Sequence, residues 1–276
     1  MEKQIMQAIV FGGTRGVGRQ IVDALYHRQI PVIFTGTDHF KTKQIEKEFN
    51  NQKALRGMAL KMEEPEKFPR FVENVYKSGF QPNILIFNAG YLSLRAHEKD
   101  QNLQKLFQIN TLAPIMLTEH FLPQMQKKNY GHLVYTSPTY KIDDKVRYLT
   151  PYMQSKLAQT TYMKSMARVL RYHNISCNSV WTKYPLWTDA LRLRNIGSRE
   201  ECVDPRIMVH VIEEILFHEN PLTFKGNELI DDSYLRTKGV DTSNYFLGTK
   251  TRDLDEVFLS HLKSPKSANE GPKFVF

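Results

Sequence analysis

The chain has 276 residues, 41% of them apolar, with 38 Lys and Arg against 29 Asp and Glu, and only two cysteines. That length and apolar content suit one α/β domain with a sizeable core, since doubly wound domains commonly reach about 250 residues. Cys177 and Cys202 are too few for a disulfide framework and fit a reducing compartment, the apolar runs fall far short of the about 20 residues of a spanning helix, and the formal charge of +9 is dispersed, without the basic clusters and stacking aromatics that nucleic-acid binding requires.

Short apolar runs alternate with longer amphipathic ones. Ala8 to Phe11 reads as a buried strand, Gly12 to Gly18 as a turn and Arg19 to Arg28 as a helix. A strand over Pro31 to Thr35 is followed by a charged helix, Lys41 to Phe49. Leu55 to Met62 is the third strand, with a helix over Glu66 to Lys77. Ile84 to Phe87 is the fourth, and Leu103 to Lys127 is one long helix or two joined. His132 to Thr136 is the fifth strand, with a long helix over Pro151 to Tyr172. Ile175 to Trp181 is the sixth, Asp204 to His218 is helical and Asn227 to Asp231 is the seventh strand. Strands separated by helices require crossovers, so the expected fold is α/β: a Rossmann-type, doubly wound, mostly seven-stranded parallel sheet with helices on both faces. Ligands of such sheets lie beyond the carboxyl ends of the strands.

One domain is expected over residues 1–263. Leu186 to Asp204 is polar and mixed, and is expected to be a lid. Residues 264–276 are expected to form a tail that packs on another protein or on a symmetry-related copy of this chain. A first strand beginning at Ala8 leaves no room for a removable presequence. The histidines show no metal-ligand spacing, so no metal site is expected.

The turn Gly12-Gly13-Thr14-Arg15-Gly16-Val17-Gly18 lies between a strand and a helix. Glycines there permit a tight bend and let backbone approach a pyrophosphate, while the helix N-terminus offers free N–H groups and partial positive charge. Further along, Tyr152 and Lys156 are spaced to share one face of a helix. A phenol ordinarily holds its proton to about pH 10, and a nearby ammonium favours tyrosinate.

The G-x-x-x-G-x-G spacing resembles that of the short-chain dehydrogenase/reductase family. So, in order, do Asn88-Ala89-Gly90 after the fourth strand, Asn110, the Y-x-x-x-K of Tyr152 to Lys156, and Phe224-Lys225-Gly226 before the last strand. The likeness covers roughly residues 5–232. It implies an oxidoreductase in which Tyr152 exchanges a proton with a carbonyl or alcohol while hydride moves to or from a nicotinamide. Lys156 would hold the nicotinamide ribose, and Asn110 a water of the proton relay. The family's catalytic serine falls at the end of the fifth strand. Aligned from the strand its place is Pro138, which has no donor, and counted back from Tyr152 it is Thr139; Ser137 is the neighbouring alternative. Thr188 matches a threonine near the nicotinamide amide. The cofactor-binding set is thus Gly12, Thr14, Arg15, Gly16, Val17, Gly18, Thr37, Asn88, Ala89, Gly90, Tyr152, Lys156 and Thr188.

The implied cofactor is NADP(H). Gly36 stands where NAD-preferring members carry an acid, so a 2′-phosphate would meet no like charge, and Arg15, with Lys41 and Lys43, would attract it. Lys61 stands where the family's adenine-contacting aspartate belongs, and Glu63 is a substitute. Ser137-Pro138, Asn178 to Lys183 and Phe224 to Asp231 resemble the hydroxysteroid dehydrogenase-like branch, often fused to a sterol-carrier domain for which this chain is too short. That branch implies lipid-like substrates. With a terminus unlike a peroxisomal S-K-L signal, it favours the mitochondrion over peroxisome or cytosol. The displaced serine and altered adenine acid support an alternative: a catalytically weak accessory subunit of a larger assembly that keeps the nucleotide as a structural ligand. A homo-oligomer is expected otherwise.

Overall fold

The computed structural model describes residues 5–49, 54–92, 100–139 and 150–262. Seven strands form one parallel sheet: β1 (Ala8–Phe11), β2 (Val32–Gly36), β3 (Leu55–Ala59), β4 (Ile84–Phe87), β5 (Gly131–Thr136), β6 (Ile175–Trp181) and β7 (Glu228–Ile230), in the order β3-β2-β1-β4-β5-β6-β7. The order reverses between β1 and β4, and a crevice opens at such a reversal because successive crossovers depart to opposite faces.

Both faces of the sheet are covered, which is why its strands read as continuous apolar runs. Ala8 and Val10 turn to α1 (Gly16–His27) and α8 (Arg206–Leu216). Ile9 and Phe11 turn to α3 (Phe68–Lys77), α5 (Ala113–Lys128) and α6 (Thr150–Val169). On that second face Phe11, Phe87 and Tyr135 stack across three neighbouring strands at 4.8 and 4.9 Å between centroids. The Tyr135 hydroxyl closes the row on Thr118 Oγ1 at 2.8 Å.

The stretch Leu103 to Lys127 is two helices, α4 (Asp100–Phe107) and α5, joined by a π turn over Gln108–Leu112. The Ala113 N–H donates five residues back to the Gln108 carbonyl. Pro114, with no N–H, has none to give the Asn110 carbonyl four residues back. β3 stops at Ala59 rather than Met62, although Leu60 and Met62 remain buried. Helix α2 (His39–Lys47) is capped by Asp38, whose carboxylate accepts from the Lys41 N–H at 3.0 Å. β7 is shorter than expected because Asp231 opens α9 (Asp231–Thr237). The Asp231 Oδ1 accepts from its neighbour's N–H at 2.7 Å and from the Lys183 N–H at 2.9 Å.

The expected polar lid has an apolar inner side. Leu186, Ala190, Leu191, Ile196, Cys202 and Val203 are buried there, around the short α7 (Asp189–Arg192). They are covered in part by α10 (Leu254–Leu262), whose Val257 and Phe258 are buried as well. The expected tail, residues 264–276, lies outside the described residues. Among the described residues no helix is long and apolar enough to cross a membrane.

α1 is pressed against the end of β1 at Gly18. A Cβ there would lie 1.9 Å from the Gly12 carbonyl oxygen and 2.5 Å from Asn88 Nδ2. Gly18→Ala is therefore expected to destabilise the fold by about 1–3 kcal/mol or more, as overpacking of a closed contact does. A lowered urea midpoint checks this; an unchanged midpoint would show that the contact can relax.

Candidate active site

The bend after β1 holds Gly12 at φ +84° and Gly16 at φ +56°, where a side chain is strained. The Gly12 N–H donates to Thr35 Oγ1 at 3.1 Å and the Gly13 N–H to the Thr35 carbonyl at 2.9 Å. From the other side Asn88 Nδ2 donates to the Gly12 carbonyl at 3.0 Å. The Ala89 backbone lies so close that a Cβ on Gly12 would approach it to 2.8 Å. The bend is thus braced by β2 and by the exit of β4. Arg15 precedes α1 with an extended backbone and no side-chain cap, and no acid stands in the first turn. The helix start retains open N–H groups suited to an anion.

Two cavities flank this bend. One, of about 420 Å³, is bordered by Gly16, Val17, Asn88, Gly90, Tyr152, Lys156 and Thr188. The other, of about 400 Å³, is bordered by Gly12, Thr14, Thr37, Asp38, Lys41 and Ala89. Arg15 borders both. Burial lowers the affinity of its guanidinium for its proton, and Asp189 of α7 works in the opposite direction. Thr188 lies over the bend, its Cγ2 3.5 Å from where a Gly16 Cβ would be.

In the second cavity, position 36 has no space for an acid. A Cβ on Gly36 would come within 2.3 Å of Thr14 Cγ2. The expectation that a 2′-phosphate would meet no like charge needs correction, because Asp38 borders the same cavity; its carboxylate is engaged in capping α2, beside Lys41. Lys43 pairs with Glu46 at 2.6 Å. Lys61 and Glu63 both border the cavity. Glu63 Oε1 meets Lys105 Nζ at 3.2 Å, while its buried Oε2 has no hydrogen-bond partner among the described residues.

Tyr152 and Lys156 share one face of α6, as their spacing predicts, and both border the first cavity. Lys156 is 2% exposed, and its ammonium donates to the Thr136 carbonyl at the end of β5, 3.0 Å away. Desolvation brings it from 10.5 down to about 7. The Tyr152 phenol packs at 6.4 Å from the Trp181 ring. Burial raises it well above the usual tyrosine range, and the charge opposing that rise is Arg194.

Asn110 is fully buried and braces α6. Its Oδ1 accepts from the Tyr91 N–H at 2.7 Å, and its Nδ2 donates to the Tyr91 carbonyl and to Ser155 Oγ, each at 3.0 Å. Ser155 in turn donates to the Tyr152 carbonyl at 2.7 Å. The side-chain amide is therefore committed to holding the β4 exit against the tyrosine helix. Of the two candidate hydroxyls after β5, Thr139 borders the first cavity, with Pro138 beside it. Ser137 is 1% exposed and accepts from Thr160 Oγ1 at 2.8 Å, turned toward the inner side of α6.

Several contributors went unread in the sequence. Ser155, the residue before the lysine, is one. Leu254, Val257 and Phe258 of α10 are others, although their spacing of three and four is the mark of an apolar helix face. Met153 and Leu191 on the cavity wall had no signal beyond being apolar, and Trp181 stands out in the sequence only within the stretch Asn178 to Lys183. Among the described residues no group of three His, Cys, Asp or Glu is placed to hold a metal ion.

The sequence profile of short chain dehydrogenases matches residues 6–195. Uncharacterized oxidoreductase YvrD of Bacillus subtilis (strain 168) is 24% identical over 195 residues, 69% of this chain and 73% of that protein. Human hydroxysteroid dehydrogenase-like protein 2 is 22% identical over 256 residues, 86% of this chain, which spans 59% of that relative's length. Among solved structures, ElxO with NADP bound superposes with a TM-score of 0.71 at 20% identity, over 84% of this chain and all of that one (100%), a likeness of fold.

The lysine yields a test. Between about pH 7 and 10.5 the unfolded chain keeps the Lys156 proton while the folded chain has released it. Where the unfolded state binds more protons, stability rises with pH. The cost of burying this ammonium is thus greatest below pH 7 and fades toward 10.5. The wild type is expected to gain more stability than Lys156→Met between pH 7 and 9.5 in urea titrations. Parallel pH profiles would show that the ammonium is not desolvated.

Proposed function

The chain belongs to the short-chain dehydrogenase family, and from that premise we propose that it is an NADP(H)-dependent oxidoreductase interconverting a carbonyl and an alcohol on an apolar, lipid-like substrate. The observation that carries this reading is the pair of cavities meeting at Arg15, with the glycine bend between them and Tyr152 and Lys156 on one wall. This is the form required by a ligand with two lobes joined by a charged link. The crowding at Gly12 and Gly18, where side chains would close the bend, fits a diphosphate held by backbone. A bound nicotinamide supplies or accepts hydride at the reacting carbon.

The chain's own residues supply the rest. The phenol of Tyr152, raised by burial, holds its proton at neutral pH and is suited to give it to a carbonyl oxygen as that oxygen gains charge. Lys156, brought to about 7, is poised to carry positive charge beside it, oriented by Thr136. Thr139, which borders the first cavity, would orient the substrate oxygen, and Asn110 with Ser155 fixes the helix that presents the phenol. Thr188 would face the nicotinamide end. Arg15 and Lys41 would attract the 2′-phosphate against the partial opposition of Asp38, and Glu63, on the wall of the second cavity, would take the place of the family's adenine-contacting acid. Apolar side chains dominate the remainder of the first cavity, in keeping with a lipid-like substrate.

A second reading, a catalytically weak accessory subunit that keeps the nucleotide as a structural ligand, draws on one observation: Ser137 is bonded to Thr160 rather than facing the cavity. The tyrosine separates the two readings. Tyr152→Phe is expected to lower kcat for NADPH-dependent carbonyl reduction by about 10²–10⁴-fold, with NADPH affinity nearly unchanged in fluorescence titrations. Unchanged turnover would exclude the Tyr152 mechanism, and a wild type inert toward a broad carbonyl panel favours the accessory role.

Cofactor choice is tested at Arg15. Loss of a charge-assisted contact of about 1.5–3 kcal/mol corresponds to roughly 10–100-fold in affinity. Arg15→Ala is expected to weaken NADPH to that extent and NADH far less. Equal losses for the two, or a wild type that binds NADH as tightly as NADPH, would overturn the assignment.

A further inference from the structure

We propose that α10 is the specificity wall of this site: Leu254 and Phe258 close the substrate end of the Tyr152 cavity and set the length of apolar carbonyl compound that fits. The proposal rests on the oxidoreductase reading above for the identity of the reacting end, and on independent geometry for the wall.

The residues of α10 turned inward belong to neither of the cores that cover the sheet. Val257 and Phe258 join a third apolar cluster with Leu92, Met153, Leu191 and Ile196, which draws on the β4 exit, the tyrosine helix and the lid. Leu254 and Phe258 also border the cavity that Tyr152, Lys156 and Trp181 border. Phe258 is 6% exposed, so its ring is spent on this enclosure and not on the outer surface.

The helix is fastened at its start. The Leu254 N–H donates to the Lys183 carbonyl just beyond β6 at 3.1 Å. Arg252 Nη1 meets Glu201 Oε1 of the lid at 2.7 Å, and Arg252 Nη2 donates to the Glu256 carbonyl and to Ser260 Oγ on α10. Val257 packs against Gly197, where a Cβ would lie 2.8 Å from its Cγ1. These ties hold α10 against the end of β6 and the segment around Gly197 and Glu201. A wall of this kind discriminates by burial: each methylene that enters the cavity strengthens binding about fourfold until the chain reaches the end, and further methylenes then weaken it by crowding a packed surface.

The test uses the full chain and a series of straight-chain 2-alkanones of increasing length, with NADP⁺ bound for affinity, since it has no hydride to give, and with NADPH for turnover. Trp181 borders the cavity and the sequence has two tryptophans, so Trp187→Phe leaves Trp181 as the sole fluorescent reporter of occupancy. Affinity read from Trp181 is expected to rise about fourfold per methylene to a limiting length and then fall. In Phe258→Ala the limit moves to longer ketones, with NADPH affinity unchanged. Phe258→Leu, which retains the apolar packing, moves it less and serves if the alanine variant does not fold. A length profile that is the same in wild type and Phe258 variants, or no dependence on length, overturns the proposal. Ketones that bind with the expected profile and are never reduced sink the oxidoreductase reading while leaving the wall in place.

Discussion

A side chain at position 18 has nowhere to go. The first turn of α1 rests on the Gly12 carbonyl, just past the end of β1, and Asn88 Nδ2 reaches the same oxygen. This contact sets the depth at which the helix start enters the crevice between β1 and β4, and therefore where an anion bound by its N–H groups must lie. It also ties β4 to β1 beyond their ladder, so the segment carrying Gly90 cannot withdraw from the bend. Gly90 in turn lies under Lys156, whose Nζ would be 3.3 Å from a Cβ placed there. From one close backbone approach, the relative positions of bend, β4 exit and α6 all follow.

The second organising feature is polar and buried. Lys156, Asn110, Ser155 and Thr111 lie at most 5% exposed where α6 meets the π turn and the sheet. Each has a partner: Thr136 for the ammonium, Tyr91 and Ser155 for the amide, the Ser155 carbonyl for Thr111 Oγ1 at 2.6 Å. Buried polar groups are costly unless satisfied, and a satisfied set admits few alternative packings. The ammonium is the exception in kind, since its hydrogen bond does not return what desolvation removes, and it is held close to neutrality. A group so placed is common where charge must appear or vanish during a reaction.

How much of this was legible depended on which physical constraint left a mark in the sequence. The sheet did, because burial on two faces demands runs such as Ile84 to Phe87. So did the glycine bend and the Tyr152–Lys156 spacing. The fate of the serine did not: Ser137 and Thr139 are equivalent in sequence, and only the rotation of the strand end, which sends Ser137 to Thr160 and leaves Thr139 at the cavity, tells them apart. Asp38 was hidden likewise, its place in the second cavity following from the cap it provides. The buried side of the segment from Leu186 to Asp204 left no mark because its apolar residues are spaced irregularly among charges and pair with a helix over 50 residues further along the chain. Pro114 marks the break around Asn110 in the sequence, but a proline near a helix start is equally at home in one long helix or in two, and the π turn decides between them.

Arg15 is shared by both chambers. A single cation bordering two compartments cannot respond to one of them alone: phosphate drawn to it on one side changes the field experienced on the other, where Asp189 of α7 already competes for it. Binding free energies linked in this way are reciprocal, so whatever advantage the first occupant confers on the second is returned in equal measure. Occupancy of either half of the crevice is therefore expected to change the affinity of the other through this one guanidinium.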